Sequence, residues 1–188
     1  MIRLLHRLGQ GFASRARNLT YRLLGVNFQR YCWLRAIEIP RQWTDVTLLG
    51  CALDRGVVLL CSGTPRQDKI EIGHGTYINR YTMLDAHHRI QIGQDVMIGP
   101  YCYITDGEHG TAPGSSVKSQ GMNVSPVIIE DEVWLGAHVT VLAGVRIGRG
   151  AVIGAGSVVT RDIPANMVAF GTPATARRRR ESATPKSS

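Results

Sequence analysis

Residues 129–159 read IEDEVWLGAHVTVLAGVRIGRGAVIGAGSVV, and this stretch decides the fold. An aliphatic residue recurs in it at every sixth position, from Ile129 to Val159. An α-helix would place residues six apart on different faces, so the period is not helical. A chain that turns a corner every six residues points each of these side chains inward, and its successive coils stack as parallel strands. The stretch therefore predicts an all-β fold, a parallel β-helix of hexapeptide repeats.

The same period extends towards the N-terminus. The aliphatic residues in phase are Ile72, Ile78, Leu84, Ile92, Ile98, Ile104, Ile129, Leu135, Val141, Ile147, Ile153 and Val159. Glycine follows six of them, while Asn79 and Asp85 take that place after two others. We expect these residues to supply unusual backbone angles at the corners. Residues 43–71 are less regular and predict imperfect opening coils.

Two interruptions of the repeat indicate where chemistry is located. Two extra residues before Ile92 predict a bulged corner near residues 86–89. A longer break, residues 105–126, is rich in Gly, Ser and Thr and predicts an excursion loop. Loops held on rigid scaffolds often carry functional residues. This loop carries Asp106, Glu108 and His109.

The basic residues are concentrated at the two ends of the chain. Residues 1–41 carry eight arginines and one acid, whereas residues 42–175 carry nine basic and twelve acidic residues. This distribution argues against a basic groove in the folded body, so we expect no nucleic-acid partner. The predicted segments are a basic helical segment (1–42), a β-helix domain (43–175) and a basic disordered tail (176–188).

Residues 2–24 predict an amphipathic helix. Its apolar residues recur at steps of three and four, namely Ile2, Leu5, Phe12, Ala16, Leu19 and Leu23, and five arginines accompany them. Such a helix can lie on an anionic membrane surface, cap the open end of the β-helix or pack on a neighbouring subunit. The chain has no bilayer-spanning apolar run and no signal-peptide core. We therefore expect a cytoplasmic protein, and peripheral contact at the inner membrane through residues 1–24 stays open beside the capping and packing alternatives.

From about Ile70 to Arg178 the chain resembles the hexapeptide-repeat O-acetyltransferases. The similar types are the galactoside and maltose acetyltransferases and those that acetylate capsule, lipopolysaccharide and exopolysaccharide sugars. The motifs that carry the resemblance are VWLGAHV, GAGSVVTRDIP and GTP, in this order. The resemblance implies a left-handed β-helix with three hexapeptides per coil and a homotrimer with active sites between subunits. It also implies acetyl-CoA as co-substrate, a sugar or glycan hydroxyl as acceptor, and no metal.

The resemblance also implies roles for individual residues. His109 occupies the position of the family's catalytic histidine, and an imidazole is suited to act as a general base in acyl transfer. Asn79 and Asp85 are candidates for acceptor binding. The candidates for oxyanion stabilisation and CoA binding are Trp134, Gly136, Ala137, Ala155, Thr160, Arg161 and Arg178. Relatives with a DHxHG loop differ from the DGEHG found here, so Asp106, Glu108 and a backbone carbonyl stay open as the group that orients the histidine.

Two other classes of function compete with acyl transfer. A metal enzyme of the γ-carbonic-anhydrase type has the same fold and needs three histidine ligands, but His87, His88 and His109 lack that family's spacing. A non-catalytic β-helical assembly protein would bind no CoA and would not depend on His109. The four cysteines form no CxxC pair, which predicts reduced thiols in the core.

Overall fold

The computed structural model describes residues 2–181, which form one helix, α1 (Ile2–Leu24), and a three-sided parallel β-helix. Each full coil contributes one short strand to each side, and strands of successive coils pair in parallel. The predicted left-handed parallel β-helix, with its N-terminal helix and its excursion loop, is confirmed.

The strands follow the coils in chain order. The first two coils contain β1 (Asn27–Phe28), β2 (Trp33–Leu34), β3 (Val46–Leu48), β4 (Ala52–Leu53) and β5 (Val58–Cys61). The next two contain β6 (Ile70–Ile72), β7 (Tyr77–Ile78), β8 (Met83–Ala86), β9 (Ile90–Ile92), β10 (Met97–Ile98) and β11 (Tyr103–Thr105). The excursion contains β12 (Gly107–His109) and β13 (Met122–Val124). The last coils contain β14 (Val127–Ile129), β15 (Trp134–Leu135), β16 (Thr140–Val141), β17 (Arg146–Ile147), β18 (Val152–Ile153) and β19 (Val158–Val159). A hairpin of β20 (Met167–Gly171) and β21 (Ala174–Arg179) follows.

Three parallel sheets form the sides of the prism. The first sheet has the order β1-β3-β6-β9-β14-β17, the second has the order β2-β4-β7-β10-β15-β18-β20-β21, and the third has the order β19-β16-β11-β8-β5. The register aligns the repeat residues directly, as in Ile78 with Ile98 and Leu135 with Ile153. All twelve aliphatic repeat residues are buried, so the sequence period is the packing period of the core.

The glycines of the repeat have a role that differs from the predicted one. Gly99 and Gly136 do not adopt positive φ angles, and neither do Asn79 and Asp85. A Cβ atom at Gly99 would lie 2.7 Å from the backbone nitrogen of the next coil. These glycines are therefore required by the close stacking of the coils. Left-handed backbone occurs two residues later, for example at Tyr101, where φ is 59°.

The β-helix begins earlier than the predicted residue 43. Residues 27–39 form a first coil, because Phe28, Leu34 and Ile37 point into the core while the arginines between them stay outside it. The predicted helical segment 1–42 is thus wrong beyond residue 24.

The predicted disordered tail also begins too early. Residues 174–179 form β21, which pairs antiparallel with β20. Backbone pairing tolerates the arginines here because their side chains point to solvent, and Arg177 lies over the Phe170 ring at 5.5 Å. Residues 182–188 lie outside the described part of the chain.

Helix α1 covers the open end of the β-helix. The Ser14 hydroxyl accepts a hydrogen bond from Leu34 N–H at 2.9 Å, and the Asn18 side chain bonds both the N–H and the carbonyl of Cys32. These contacts pair the exposed edge of β2, which would otherwise present unpaired backbone groups. The helix therefore caps the β-helix with one face. No helix in the described residues is long and apolar enough to cross a membrane.

A buried ion pair connects the opening coils. Lys69 Nζ lies 3.0 Å from Asp45 Oδ2, and neither side chain is more than 1% exposed. The same ammonium group donates to the carbonyls of Ser62 and Thr64 at 2.8 and 2.9 Å. The four cysteines are buried and unbridged, as predicted.

Candidate active site

His109 lies on a hairpin that leaves the fourth coil. The strands β12 and β13 pair antiparallel, with His109 opposite Met122, and the Gln120 side chain bonds both backbone groups of Ala112 near the tip. The predicted loop is therefore an ordered excursion. It presents the His109 ring to solvent, and that ring has no hydrogen-bond or ion-pair partner within residues 2–181.

Asp106 shapes the bulged corner beside this hairpin. Its carboxylate is fully buried and accepts N–H groups from His87 and His88, both at 2.7 Å, and from Arg89. Three backbone N–H groups therefore donate hydrogen bonds to the two carboxylate oxygens of Asp106. The other proposed orienting residue, Glu108, is exposed on β12.

A cluster of Asp85, His87 and Tyr103 lies against the base of the hairpin. The Tyr103 hydroxyl donates to Asp85 Oδ2 at 3.0 Å, and burial together with this carboxylate raises the tyrosine pKa, so the hydroxyl stays protonated at neutral pH. The other oxygen, Asp85 Oδ1, is buried without a hydrogen-bond partner and lies 3.6 Å from His87 Nε2. The His87 ring packs so closely on Gly107 that a Cβ there would be 2.8 Å from the ring.

A second set of predicted site residues lies at the edge between the second and third sheets. Trp134 is half-exposed on β15, between Met97 and Val152 of the adjacent coils. Asn79 Oδ1 accepts the N–H of Arg80 at 2.8 Å, so its oxygen stabilises the corner and its amide nitrogen is left for other contacts.

The backbone N–H groups of Ala137 and Ala155 have no acceptor in the described structure. In two other coils the residue at the same corner, Arg55 or Arg80, donates its N–H to the side chain of the residue before it, Asp54 or Asn79. In a third coil the residue at this corner is Pro100, which has no N–H. Glycine precedes both Ala137 and Ala155, so no side chain is available to accept. The edge therefore presents two unpaired N–H donors on adjacent coils, about 4.8 Å apart along the stack.

The remaining candidates are more dispersed. Thr160 and Arg161 are exposed just after β19, at the edge between the third and first sheets. Arg178 on β21 lies 4.0 Å from Glu181. A groove of about 250 Å³ beside Trp134 is lined by Arg180, which the sequence did not single out.

One chain does not bring all the candidates together. Asn79, Trp134, Gly136, Ala137 and Ala155 lie at one edge of the prism, and Asp85, Asp106, Glu108, His109, Thr160 and Arg161 lie at the next. The third sheet separates the two groups. Within residues 2–181 no three His, Cys, Asp or Glu side chains are placed to hold a metal ion.

A stacked aromatic ladder that was not predicted from the sequence lies at the first of these edges. The Tyr81 and Tyr101 rings stack at 5.3 Å, and Tyr101 stacks on His138 at 5.0 Å. All three residues have positive φ and occupy the third place after an inward aliphatic residue. This shared place in the repeat is the sequence signal that could have revealed the ladder.

The chain folds as a parallel β-helix with a six-residue repeat, and residues 126–161 match the family described as "Bacterial transferase hexapeptide (six repeats)". The chain is 46% identical over 110 residues to the galactoside O-acetyltransferase of Lactococcus lactis, an alignment that covers 58% of this chain and 53% of that protein. The chain spans about half the length of the curated relatives it matches.

Two solved structures are similar to this chain in fold. A maltose O-acetyltransferase from Clostridium difficile has a TM-score of 0.63 and 29% identity, over 88% of this chain and 75% of that one. A hexapeptide-repeat acetyltransferase from Vibrio cholerae, solved with acetyl-CoA, has a TM-score of 0.61 and 28% identity, over 79% and 73%.

Proposed function

We propose that this protein transfers an acetyl group from acetyl-CoA to a hydroxyl group of a sugar or glycan. The observation that carries the proposal is the pair of unpaired N–H groups at Ala137 and Ala155, beside the half-exposed Trp134. Unpaired backbone donors fit a thioester carbonyl and the amides of a pantetheine arm. The similarity to galactoside and maltose O-acetyltransferases supports the sugar acceptor.

In the proposed reaction His109 acts as the general base. Its imidazole takes the proton of the acceptor hydroxyl while the oxygen attacks the thioester carbon. The Ala137 N–H stabilises the oxyanion, and one such donor is typically worth about 3 kcal/mol. The C–S bond then breaks, and the CoA thiolate takes the proton from the imidazolium as it leaves.

The remaining site residues position the two substrates in this proposal. Asp85, whose carboxylate lies 3.6 Å from His87 Nε2, forms part of the acceptor pocket at the base of the His109 hairpin. The amide nitrogen of Asn79 donates to a second sugar oxygen. Trp134 and Ala155 line the path of the pantetheine arm, and Thr160, Arg161 and Arg178 contact the nucleotide end of CoA.

We further propose that the protein is a homotrimer with shared sites. The two groups of candidate residues lie at different edges of one prism, so His109 of one subunit must meet Ala137 of its neighbour. A three-fold arrangement supplies three equivalent edge-to-edge contacts. The partnerless His109 ring supports this arrangement, because a site open on one side is completed by a second subunit.

The first test is release of CoA thiol from acetyl-CoA with a panel of galactosides, maltose and nucleotide sugars. Replacing His109 by Gln is expected to lower kcat/KM by a factor of about 10²–10⁴. Lys118→Gln is the matched control, since Lys118 is exposed on the same excursion. Equal activity of His109→Gln and the wild type would refute the base assignment.

The second test uses complementation between subunits. Ala137→Pro removes one N–H with little disturbance, because Pro100 already occupies the same place in the preceding coil. Each mixed trimer of His109→Gln and Ala137→Pro subunits has one intact site out of three. When equal amounts are refolded together, about three quarters of the trimers are mixed, so about a quarter of wild-type activity should return. No recovery, although the mixed trimers form, would refute a shared site.

We also propose that α1 holds the protein at a membrane surface. Its outward face carries Phe12, Leu19 and Leu23, which are 77%, 61% and 80% exposed. Arg15 and Arg22 lie beside this apolar ridge, over the rings of Tyr31 and Phe28. An exposed apolar ridge flanked by arginines fits an anionic bilayer surface.

Deleting α1 is a poor test of membrane contact, because it would uncover the edge of β2. Phe12→Gln with Leu23→Gln keeps the cap and is expected to abolish sedimentation with vesicles that contain phosphatidylglycerol. Sedimentation equal to the wild type would refute the contact.

A further inference from the structure

A basic pocket lies between α1 and the corner of the first two coils. It is an open pocket of about 350 Å³, and its lining residues are Gly9, Gln10, Ala13, Arg17, Arg35, Ala36 and Arg55. The helix contributes small residues at this point, Gly9 and Ala13, which leaves room between the helix and the coils. Three guanidinium groups from three separate segments thus border one cavity.

The pocket has an excess of positive charge. Arg35 pairs with Asp54 at 3.4 Å, and Arg17 donates to the Leu34 carbonyl at 3.3 Å. In the part of the chain that the structure describes, the Arg55 guanidinium has no side-chain partner. Three guanidinium groups and one carboxylate lie at this pocket, so it has a net positive charge. It is therefore suited to bind an anion with one or two negative charges.

The position of the pocket relative to the exposed apolar ridge of Phe12, Leu19 and Leu23 indicates which kind of anion it binds. Ala13 and Arg17 are four residues apart, so they lie on one line of the helix, about 100° around its axis from Phe12 of the ridge. A bilayer that buries the ridge places its phosphate layer beside this line, because such helices sit at the boundary of head groups and acyl chains.

We propose that the Arg17–Arg35–Arg55 pocket binds the phosphate group of an anionic phospholipid. Guanidinium groups bind phosphate oxygens through paired hydrogen bonds. A second copy of the chain fits this surface less well, because residues 1–37 contain no acidic residue and two copies would repel each other. The inference rests on the membrane contact proposed for α1, and it does not depend on acyl transfer.

The test measures partitioning of the full chain onto phosphatidylcholine vesicles with and without phosphatidylglycerol. Arg55→Gln should weaken binding to the anionic vesicles about fivefold, the effect of one arginine near a charged surface. Arg30→Gln is the control of equal charge: Arg30 is exposed on the first coil but does not line the pocket. It should change binding by less than about twofold. Arg55→Lys keeps the charge without the planar fork and should fall between the two.

The outcomes separate the explanations. An equal loss in Arg55→Gln and Arg30→Gln would show general charge attraction and overturn the pocket. If inorganic phosphate raises the melting temperature of the wild type alone and Arg55→Gln binds vesicles normally, the pocket is a free-anion site and the lipid assignment is overturned. Failure of acetyl transfer would leave these results unchanged, because vesicle binding is measured without an acyl donor. An unchanged melting temperature of Arg55→Gln without phosphate confirms that the variant folds.

Discussion

Replacing Asp106 by Asn should destabilise the protein by removing the acceptor that shapes the bulged corner. Asparagine keeps one carbonyl oxygen, which can retain the His87 N–H, while its NH₂ group faces the N–H groups of His88 and Arg89. Each buried N–H left unpaired costs about 1–3 kcal/mol. The two unpaired N–H groups lie at a partly exposed corner, so we expect the free energy of unfolding to fall by about 3 kcal/mol in total. For a chain of this length that corresponds to a fall in Tm of about 6–12 °C.

Thermal and urea unfolding measure this change, with Glu108→Gln as the control. Glu108 lies two residues away and is exposed, so its substitution should stay within about 0.5 kcal/mol of the wild type. The folded Asp106→Asn protein should keep the wild-type pH profile of activity, because Asp106 does not contact His109. An unchanged Tm with a shifted pH–rate profile would refute the corner role and favour Asp106 as the group that orients His109.

Three further predictions concern stability. Lys69→Met leaves the Asp45 carboxylate buried without its cation and should cost about 3–5 kcal/mol in urea unfolding, whereas adding Asp45→Asn should recover part of the loss. Gly136→Ala places a Cβ 2.6 Å from a backbone nitrogen of the next coil and should cost about 1–3 kcal/mol by calorimetry; Gly121→Ala, with nothing within 4 Å, should be neutral. Burial raises the pKa of Asp54, but its hydrogen bonds and nearby arginines outweigh burial and lower it. A lowered folded pKa contributes stability above the unfolded value of about 3.9 and loses it as pH falls, so Asp54→Asn should destabilise at neutral pH and match the wild type in acid. A constant difference across pH would contradict the charge effect.

The fold could be predicted because one local rule repeats. An inward aliphatic residue every six positions fixes both the corners and the register, and the stacking of Ile78, Ile98, Leu135 and Ile153 follows directly. The reason for the glycines could not be predicted, because the distance from Gly99 to the next coil exists only after the coils stack. The first coil was missed because it contains only one six-residue step, from Phe28 to Leu34, before the inward residues Ile37 and Ile39 leave the period.

The site could be predicted only in part. Sequence spacing places His109 on an excursion and Trp134 on the returning coil, and both positions agree with the structure. The partners of Asp106 could not be foreseen, since they are backbone groups seventeen to nineteen residues away in the preceding coil. The N–H of Ala137 is unpaired because Gly136 has no side chain that could accept its hydrogen bond. A search for functional side chains does not detect a site that depends on a missing side chain.

The cap formed by α1 has a consequence for geometry above a bilayer. The helix covers the first coil, and the hairpin of His109 leaves the fourth, so three coil spacings of about 4.8 Å, roughly 14 Å in total, separate them along the axis. Eighteen residues separate Ile129 from its partner Ile147, so inserting or deleting eighteen residues adds or removes one coil with the core still in register. In the proposed membrane-bound state, the height of the histidine over the lipid surface changes only in whole coils, and a related chain could reach a longer or shorter acceptor by changing its number of coils alone.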